Sequence, residues 1–457
     1  MSELVITPPP EYNYDEDLSS PMYSMCAGSS ERVIQFEPFK RTGCPDCDWL
    51  YFTDHMTINL GSRVWGLHAP SYGLNGKVEG AVKFSGDRSH VEKVTVTLEG
   101  LLNTSVSQRG PGSGEYKVPV LSSTVQIYDS YADSTVEWTD EHVFSVDLPS
   151  EVMVQGVVSQ LPPSFAAYYQ NSSCEVSYRL RIDMARRGLR RHESKTISIL
   201  YLPKTRPSEA PLISIPRPSR TLSDSPLCIF ERVKTVALEP ILPLDAKRLT
   251  KSPISTHSQK SVFVSPILLI AQPTLNLVYG ALTHVLSWLQ FSLPSPQCFS
   301  SGEPIPFTLS LVFPSDPFLA SMYSKNIRIV LLKRVQLWRK GITEPIIRDT
   351  TLASAHLRYF NEYSEGITLL RGSIRAGAEG KESSWCVKGI AESQYILRVM
   401  INPPTHLYGH LPSFKHDEKL QITTDSWGTL ERELASTGGT PTPALGLASC
   451  LRHVDEI

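Results

Sequence analysis

Between Leu161 and Pro203 apolar and polar residues alternate with a period of two. Cys174, Val176, Tyr178, Leu180, Ile182 and Met184 fall on one face, and Glu175, Ser177, Arg179, Arg181 and Asp183 on the other. This predicts a strand with one dry and one wet face. A basic turn containing Gly188 leads to a second β-rich run, Ile197 to Leu202, so the pair reads as a long hairpin. Its apolar face needs a second sheet to cover it.

The same period recurs upstream. Strands are expected at Met56–Leu60, Val64–Leu67, Val78–Phe84, Val91–Glu99, Val120–Tyr128 and His142–Leu148, with turns at Tyr72–Gly76 and Arg109–Gly114. No long stretch before residue 200 has helical periodicity. Short strands at near-regular spacing point to a β-sandwich. Residues 204–226 carry many Pro, Ser and Thr and read as an extended linker. A second β-rich block follows, with runs at Leu227–Leu238, Val262–Ile270, Leu286–Leu293, Phe307–Phe313, Ile327–Trp338, Ile367–Ile374, Gln394–Ile401 and Lys419–Thr424. The expected architecture is therefore all-β. A disordered arm (1–53) precedes an N-domain (54–203), the linker (204–226), a C-domain (227–426) and a flexible tail (427–457).

Composition narrows the classes. The 457 residues are 41% hydrophobic, which is enough for sizeable cores, and the 35 prolines suit edges, turns and linkers. A net charge of −2 gives no basic footprint, so nucleic acid is not an expected partner. The first residues have neither a basic n-region nor an apolar h-region, so no secretory signal is expected. The eight cysteines are then expected as thiols in a reducing, cytoplasmic compartment. The apolar stretch from Ser265 to Pro294 is interrupted by Gln272, Pro273, Asn276, His284 and Gln290. It reads as two strands with a link between them rather than as a membrane span, which wants about 20 apolar residues.

Several segments resemble the arrestin family, and the fungal arrestin-related trafficking adaptors (alpha-arrestins) most closely. Asn75-Gly76-Lys77-Val78-Glu79-Gly80, followed by Val94-Thr95-Val96-Thr97-Leu98-Glu99-Gly100, is similar to the paired opening strands of an arrestin N-domain. Leu161-Pro162-Pro163-Ser164-Phe165 and the strand after it are similar to that family's LPPSF segment. Ser301-Gly302-Glu303-Pro304-Ile305 looks like the lead-in to a C-domain strand. The resemblance spans roughly residues 54–426. It implies two tandem immunoglobulin-like β-sandwich domains, no catalysis and no cofactor. It also implies a cytoplasmic adaptor that is peripheral to the plasma membrane or endosomes, does not span the membrane, and binds cytosolic regions of transporters or receptors. Adaptors of this kind recruit HECT-type ubiquitin ligases through PPxY motifs.

One such motif is present: Pro9, Pro10 and Tyr12, within Pro9-Pro10-Glu11-Tyr12. Consecutive prolines favour polyproline II, so docking into the aromatic groove of a WW domain costs little order. The amphipathic tyrosine fills a neighbouring pocket. A second candidate is the hairpin turn, where Arg186, Arg187, Arg190 and Arg191 could hold phosphate through bidentate bonds; a solvated turn is the plainer reading. Cys44 and Cys47 form a CxxC without a second ligand pair, so no metal is expected there. GxSxG, HExxH and P-loop signatures do not occur. A ligase-independent endosomal sorting scaffold of the retromer-subunit type is the alternative reading.

Overall fold

The computed structural model describes residues 48–85, 90–107, 114–131, 140–188, 192–215, 232–241, 289–313, 317–338, 344–360, 367–408, 410–429, 441–449 and 451. The protein is all-β, with mostly antiparallel sheets arranged as two sandwich-like pairs within one compact unit, Thr42–Ile457. In the first pair, a four-stranded sheet runs in the order β1 (Asp48–Phe52), β2 (Met56–Ser62), β4 (Lys77–Phe84), β7 (Glu141–Asp147). It faces a six-stranded sheet in the order β3 (Ser71–Tyr72), β12 (Glu193–Tyr201), β11 (Ser172–Arg186), β5 (Val91–Val106), β6 (Gly114–Asp129), with β10 (Phe165–Tyr169) also paired to β11.

The second pair opposes a five-stranded and a seven-stranded sheet. The five-stranded order is β13 (Val233–Ala237), β15 (Leu289–Pro294), β17 (Pro304–Val312), β21 (Ile367–Arg375), β20 (His356–Phe360). The seven-stranded order is β14 (Pro240–Ile241), β24 (Ser413–Thr423), β23 (Ala391–Ile401), β18 (Ile327–Leu337), β19 (Ile346–Ser354). In this sheet β16 (Cys298–Ser300) joins β24 and β22 (Trp385–Val387) joins β23.

The long hairpin forms as its alternation requires. Cys174, Val176, Tyr178, Leu180, Ile182 and Met184 are all buried, and β11 pairs with β5 over nearly its whole length. The LPPSF segment is pinned to this hairpin. Tyr178 donates its hydroxyl hydrogen to the Pro162 carbonyl, the Ser164 N–H donates to the Tyr201 carbonyl (2.8 Å), and the Tyr201 N–H returns to Ser164 Oγ (2.9 Å). Gly100 makes room for the Tyr178 ring: a Cβ there would lie 2.6 Å from a ring carbon. The Tyr178 and Tyr201 rings meet edge to face at 5.6 Å.

Several expectations change. Residues 48–53 fall in the expected disordered arm (1–53), yet Asp48–Phe52 pairs with β2 as an edge strand and buries Trp49; the rest of that arm lies outside the described residues. Val64–Leu67 is not a strand: after Ser62 the chain leaves the sheet. Of the expected run Leu227–Leu238, residues 232–238 are described and Val233–Ala237 form a strand; the expected run Val262–Ile270 lies outside the described residues. Two short strands, β8 (Glu151–Val154) and β9 (Val157–Gln160), and the helix α1 (Pro317–Ser324) carry no clear period and were not expected.

The linker and the tail depart further. Of the linker, residues 204–215 are described, and its start is bonded to the end of β24. Thr205 and Thr424 exchange backbone N–H to hydroxyl bonds (2.9 and 3.1 Å), and the Asp425 N–H donates to the Thr205 carbonyl (3.0 Å). Of the tail, residues 441–449 pack rather than dangle. The Ala444 N–H donates to the Leu202 carbonyl (2.8 Å), and Ala444, Leu447 and Ala448 join Ala69, Leu200 and Leu202 in a small core. The turn α2 (Leu445–Ala448) lies there. Small residues permit this approach: a Cβ on Gly446 would sit 2.5 Å from the Gly380 carbonyl oxygen, and one on Gly73 would sit 2.7 Å from that of Thr442.

Candidate functional site

The sequence nominates two places for binding. Pro9, Pro10 and Tyr12 lie outside the described residues. At the hairpin turn, Arg186 and Arg187 are described, while Arg190 and Arg191 lie outside.

Arg186 ends β11 and turns inward, with its side chain 11% exposed and Nη2 3.7 Å from Glu193 Oε2. Glu193 also accepts from the His55 N–H (3.1 Å), and its Oε2 lies 3.0 Å from His55 Nδ1. Burial alone would raise the Glu193 pKa. Hydrogen bonds from Thr53 and from the His55 backbone and ring outweigh it and hold the carboxyl below its usual range. The Arg186 N–H donates to His192 Nδ1 (3.2 Å). Arg187 reaches the other way: its guanidinium lies 4.6 Å from the centre of the Tyr131 ring, and Nη2 donates to Ser130 Oγ (2.7 Å). The two arginines therefore diverge. Arg186 belongs to a His–Glu–Arg cluster that ties the hairpin to the start of β2, and Arg187 caps the end of β6.

A second arrangement, which sequence reasoning missed, is the seam between the two sandwich-like halves. The first half's core continues into Val335, Leu337, Ile346, Trp385, Val387, Ile390 and Ala391 of the second. Phe165, at the end of the LPPSF segment, meets Trp385 edge to face at 5.0 Å. Lys333 Nζ lies 5.5 Å from the Phe165 ring centre and donates to Glu382 Oε2 (2.8 Å). Tyr395 donates its hydroxyl hydrogen to the same oxygen (2.7 Å) and accepts from the Ser383 N–H (3.1 Å). Arg348 Nε donates to Ser172 Oγ across the seam (3.1 Å). Between Phe165, Trp385, Lys333, Lys381 and the leucines 447 and 451 lies a cavity of about 20 Å³, room for about one water. Trp385 Nε1 is buried without a hydrogen-bond partner among the described residues.

The seam's chemistry is cohesive. Its ion pair joins a buried Glu382 to a partly buried Lys333, and the Tyr395 hydroxyl donates to the same carboxylate oxygen, so removing either charge would leave the other poorly paired. Elsewhere burial pushes the Cys174 thiol up to about 12 and lifts the Tyr178 phenol well above its ordinary value, so both stay neutral. Among the described residues no group of three His, Cys, Asp or Glu side chains is placed to hold a metal ion. No described helix is long and apolar enough to cross a membrane. Nothing in "SSWCV" marks Trp385 as a seam residue in the sequence; only the pairing of β22 with β23 brings it to Phe165. Comparison of the chain with protein-family models and with curated proteins finds no match in either.

Proposed function

We propose that this protein is an arrestin-like adaptor, built on two immunoglobulin-like sandwiches. Its N-terminal Pro9-Pro10-Glu11-Tyr12 recruits a WW-domain HECT ubiquitin ligase to the cytosolic regions of membrane transporters or receptors, which are then ubiquitinated and internalised. The observation that carries the reading is the combination of that motif with the LPPSF segment and the paired strands around Gly80 and Gly100. Two further observations support it. The LPPSF segment is bonded at three points into the hairpin and supplies Phe165 to the seam, so the family-like segment is also an organising one. The seam joins the two halves through a continuous core, which suits a body that presents one surface to a cargo.

The adaptor performs no chemistry in this reading. It raises the effective concentration of ligase at the cargo, and its single motif gives weaker recruitment than a repeated one would. The test compares the intact chain with Tyr12→Ala for recovery of WW-domain ligases. Loss of recovery is expected with Tyr12→Ala; equal recovery would remove the ligase step and favour the ligase-independent sorting scaffold.

A further inference from the structure

The five-stranded sheet of the second half has an uneven charge pattern. None of its strands, β13, β15, β17, β21 or β20, contains an Asp or Glu. Its basic residues include Lys234, Arg358, Arg371 and Arg375. Lys234 is neutralised by Glu418 on the opposite sheet (2.7 Å), and Arg375 Nε donates to the Gly302 carbonyl (3.0 Å). Arg358 and Arg371 have no acid partner among the described residues.

These two arginines are direct cross-strand neighbours, Arg358 on β20 and Arg371 on β21. Both point away from the core, because the alternating positions of β21, Leu370 and Ile374, are buried in it. On its other side Arg371 faces Thr308, Thr308 faces Ser292, and Ser292 is hydrogen-bonded to Thr235 (2.9 Å). The outer face therefore carries a straight row: three hydroxyl side chains leading to two guanidinium groups. Arg358 is exposed, but Nε and Nη2 of Arg371 are buried and have no hydrogen-bond partner among the described residues.

This arrangement is unfavourable as it stands. Like charges directly opposite on a sheet repel. A buried N–H without a partner forfeits its hydration, and a guanidinium forfeits more than an amide does. An oxyanion seated between the two forks would relieve both penalties. A carboxylate, with two oxygens, is satisfied by one arginine. A phosphoryl group offers at least three acceptor oxygens in a tetrahedron, enough for two forks and the Thr308 hydroxyl. Thr308 is only 6% exposed, so its hydroxyl is covered, and Arg358 is the exposed member of the row.

The geometry points to an anion site on the outer face of the β17–β21–β20 sheet, formed by Arg371, Arg358 and Thr308, that binds a small phosphate-bearing anion. It is independent of the hairpin-turn arginines and of the adaptor reading.

The test titrates inorganic phosphate, with acetate at matched ionic strength as control, into the full chain, Arg358→Gln and Arg371→Gln, read by calorimetry and by thermal midpoint. Phosphate is expected to bind and raise the midpoint of the intact chain where acetate does not. Arg358→Gln, an exposed change that leaves the fold intact, is expected to weaken binding at least about tenfold, and Arg371→Gln to abolish it. If Arg371→Gln fails to fold, Arg358→Gln decides alone. No phosphate binding by the intact chain, or equal binding by Arg358→Gln, would overturn the site. Arg358-dependent binding to vesicles carrying a phosphorylated lipid headgroup, without binding of inorganic phosphate, would overturn its assignment to a small free anion.

Discussion

The central strands of the two halves solve burial differently. On β11 every second residue is buried and those between are partly or fully exposed; its outer face carries Arg179, Arg181 and Asp183, with Arg179 paired to Glu99 (2.6 Å) and Arg181 to Asp183 (2.8 Å). On β23 a continuous run, Ser393 to Leu397, is buried on both faces. Tyr395, Leu397 and Val399 enter the second half's own core, while Ile396 joins Val330 and Leu332 in a second cluster on the far side. What covers that second cluster is a charged lattice. Arg334 binds Asp349 through two bonds (2.7 and 2.8 Å) and approaches Asp417 (3.7 Å). Arg398 binds Asp417 (2.7 and 2.6 Å) and approaches Asp349 (3.4 Å). Leu332 and Ile396 are cross-strand partners, with Arg334 two residues further along β18 and Arg398 two residues further along β23. To reach each other's aspartates the two arginines must cross that apolar pair, laying their aliphatic stems over it. A wet face thus takes two forms: ion pairs standing on a polar strand, or ion pairs roofing an apolar one.

The comparison can be broken at graded depth. Leu397→Ala, in the second half's core, is expected to cost about 2–5 kcal/mol, and Ile396→Ala, under the arginine roof, about 2 kcal/mol, both measured by urea unfolding. Equal and negligible costs for Ile396→Ala and a β11 surface change such as Ser177→Ala would show that the roofed cluster is not a core. Removing the roof should matter less. Arg398→Ala is expected to cost about 1 kcal/mol, and Arg181→Ala on β11 less than about 0.5 kcal/mol.

Acid provides a related contrast. Hydrogen bonds from Arg334 and Arg398 hold the Asp349 and Asp417 carboxyls below their ordinary value, against the opposing effect of burial. A lowered folded-state pKa contributes stability that is fully present above the unfolded pKa of about 3.9 and disappears as pH falls through the lower folded value. Arg398→Ala should therefore narrow the stability difference between pH 7 and pH 3, as measured by denaturant titration at each pH. The smallest effect concerns a single thiol. Burial pushes Cys174 on β11 up to about 12, so its alkylation at neutral pH should proceed only as fast as the strand opens. Rapid labelling of Cys174 in the native state, followed by peptide mass analysis, would contradict the one-sided burial of β11.

Much of this was legible in the chain and some of it was not, for definite reasons. The β11–β12 hairpin was legible because a period of two is local, and Cys174 to Met184 display it without interruption. Asp48–Phe52 was hidden: its five residues are too few to show a period beside Cys44 and Cys47, and pairing with β2 alone makes them a strand. The tail segment 441–449 was hidden because its apolar residues, Leu445 and Leu447 among them, sit in a run too short to show a period, and Gly446 docks by close approach to Gly380. At the hairpin turn, residue type nominated four arginines, but engagement of Arg186 by Glu193 depends on His55, distant in sequence. Arg371 reads as an ordinary strand arginine, and its lack of a partner emerges only when β17 and β20 flank it.

By itself the sequence determined the β class, the faces of its best-patterned strands, and the Pro9-Pro10-Glu11-Tyr12 string, because backbone periodicity and polyproline stiffness are properties of neighbouring residues. Tertiary structure alone decided that Phe165 meets Trp385, that the second half's central strands are dry on both faces, and that two arginines stand side by side with no acid partner among the described residues. Those outcomes rest on contacts between residues far apart in the chain, and no local pattern encodes them.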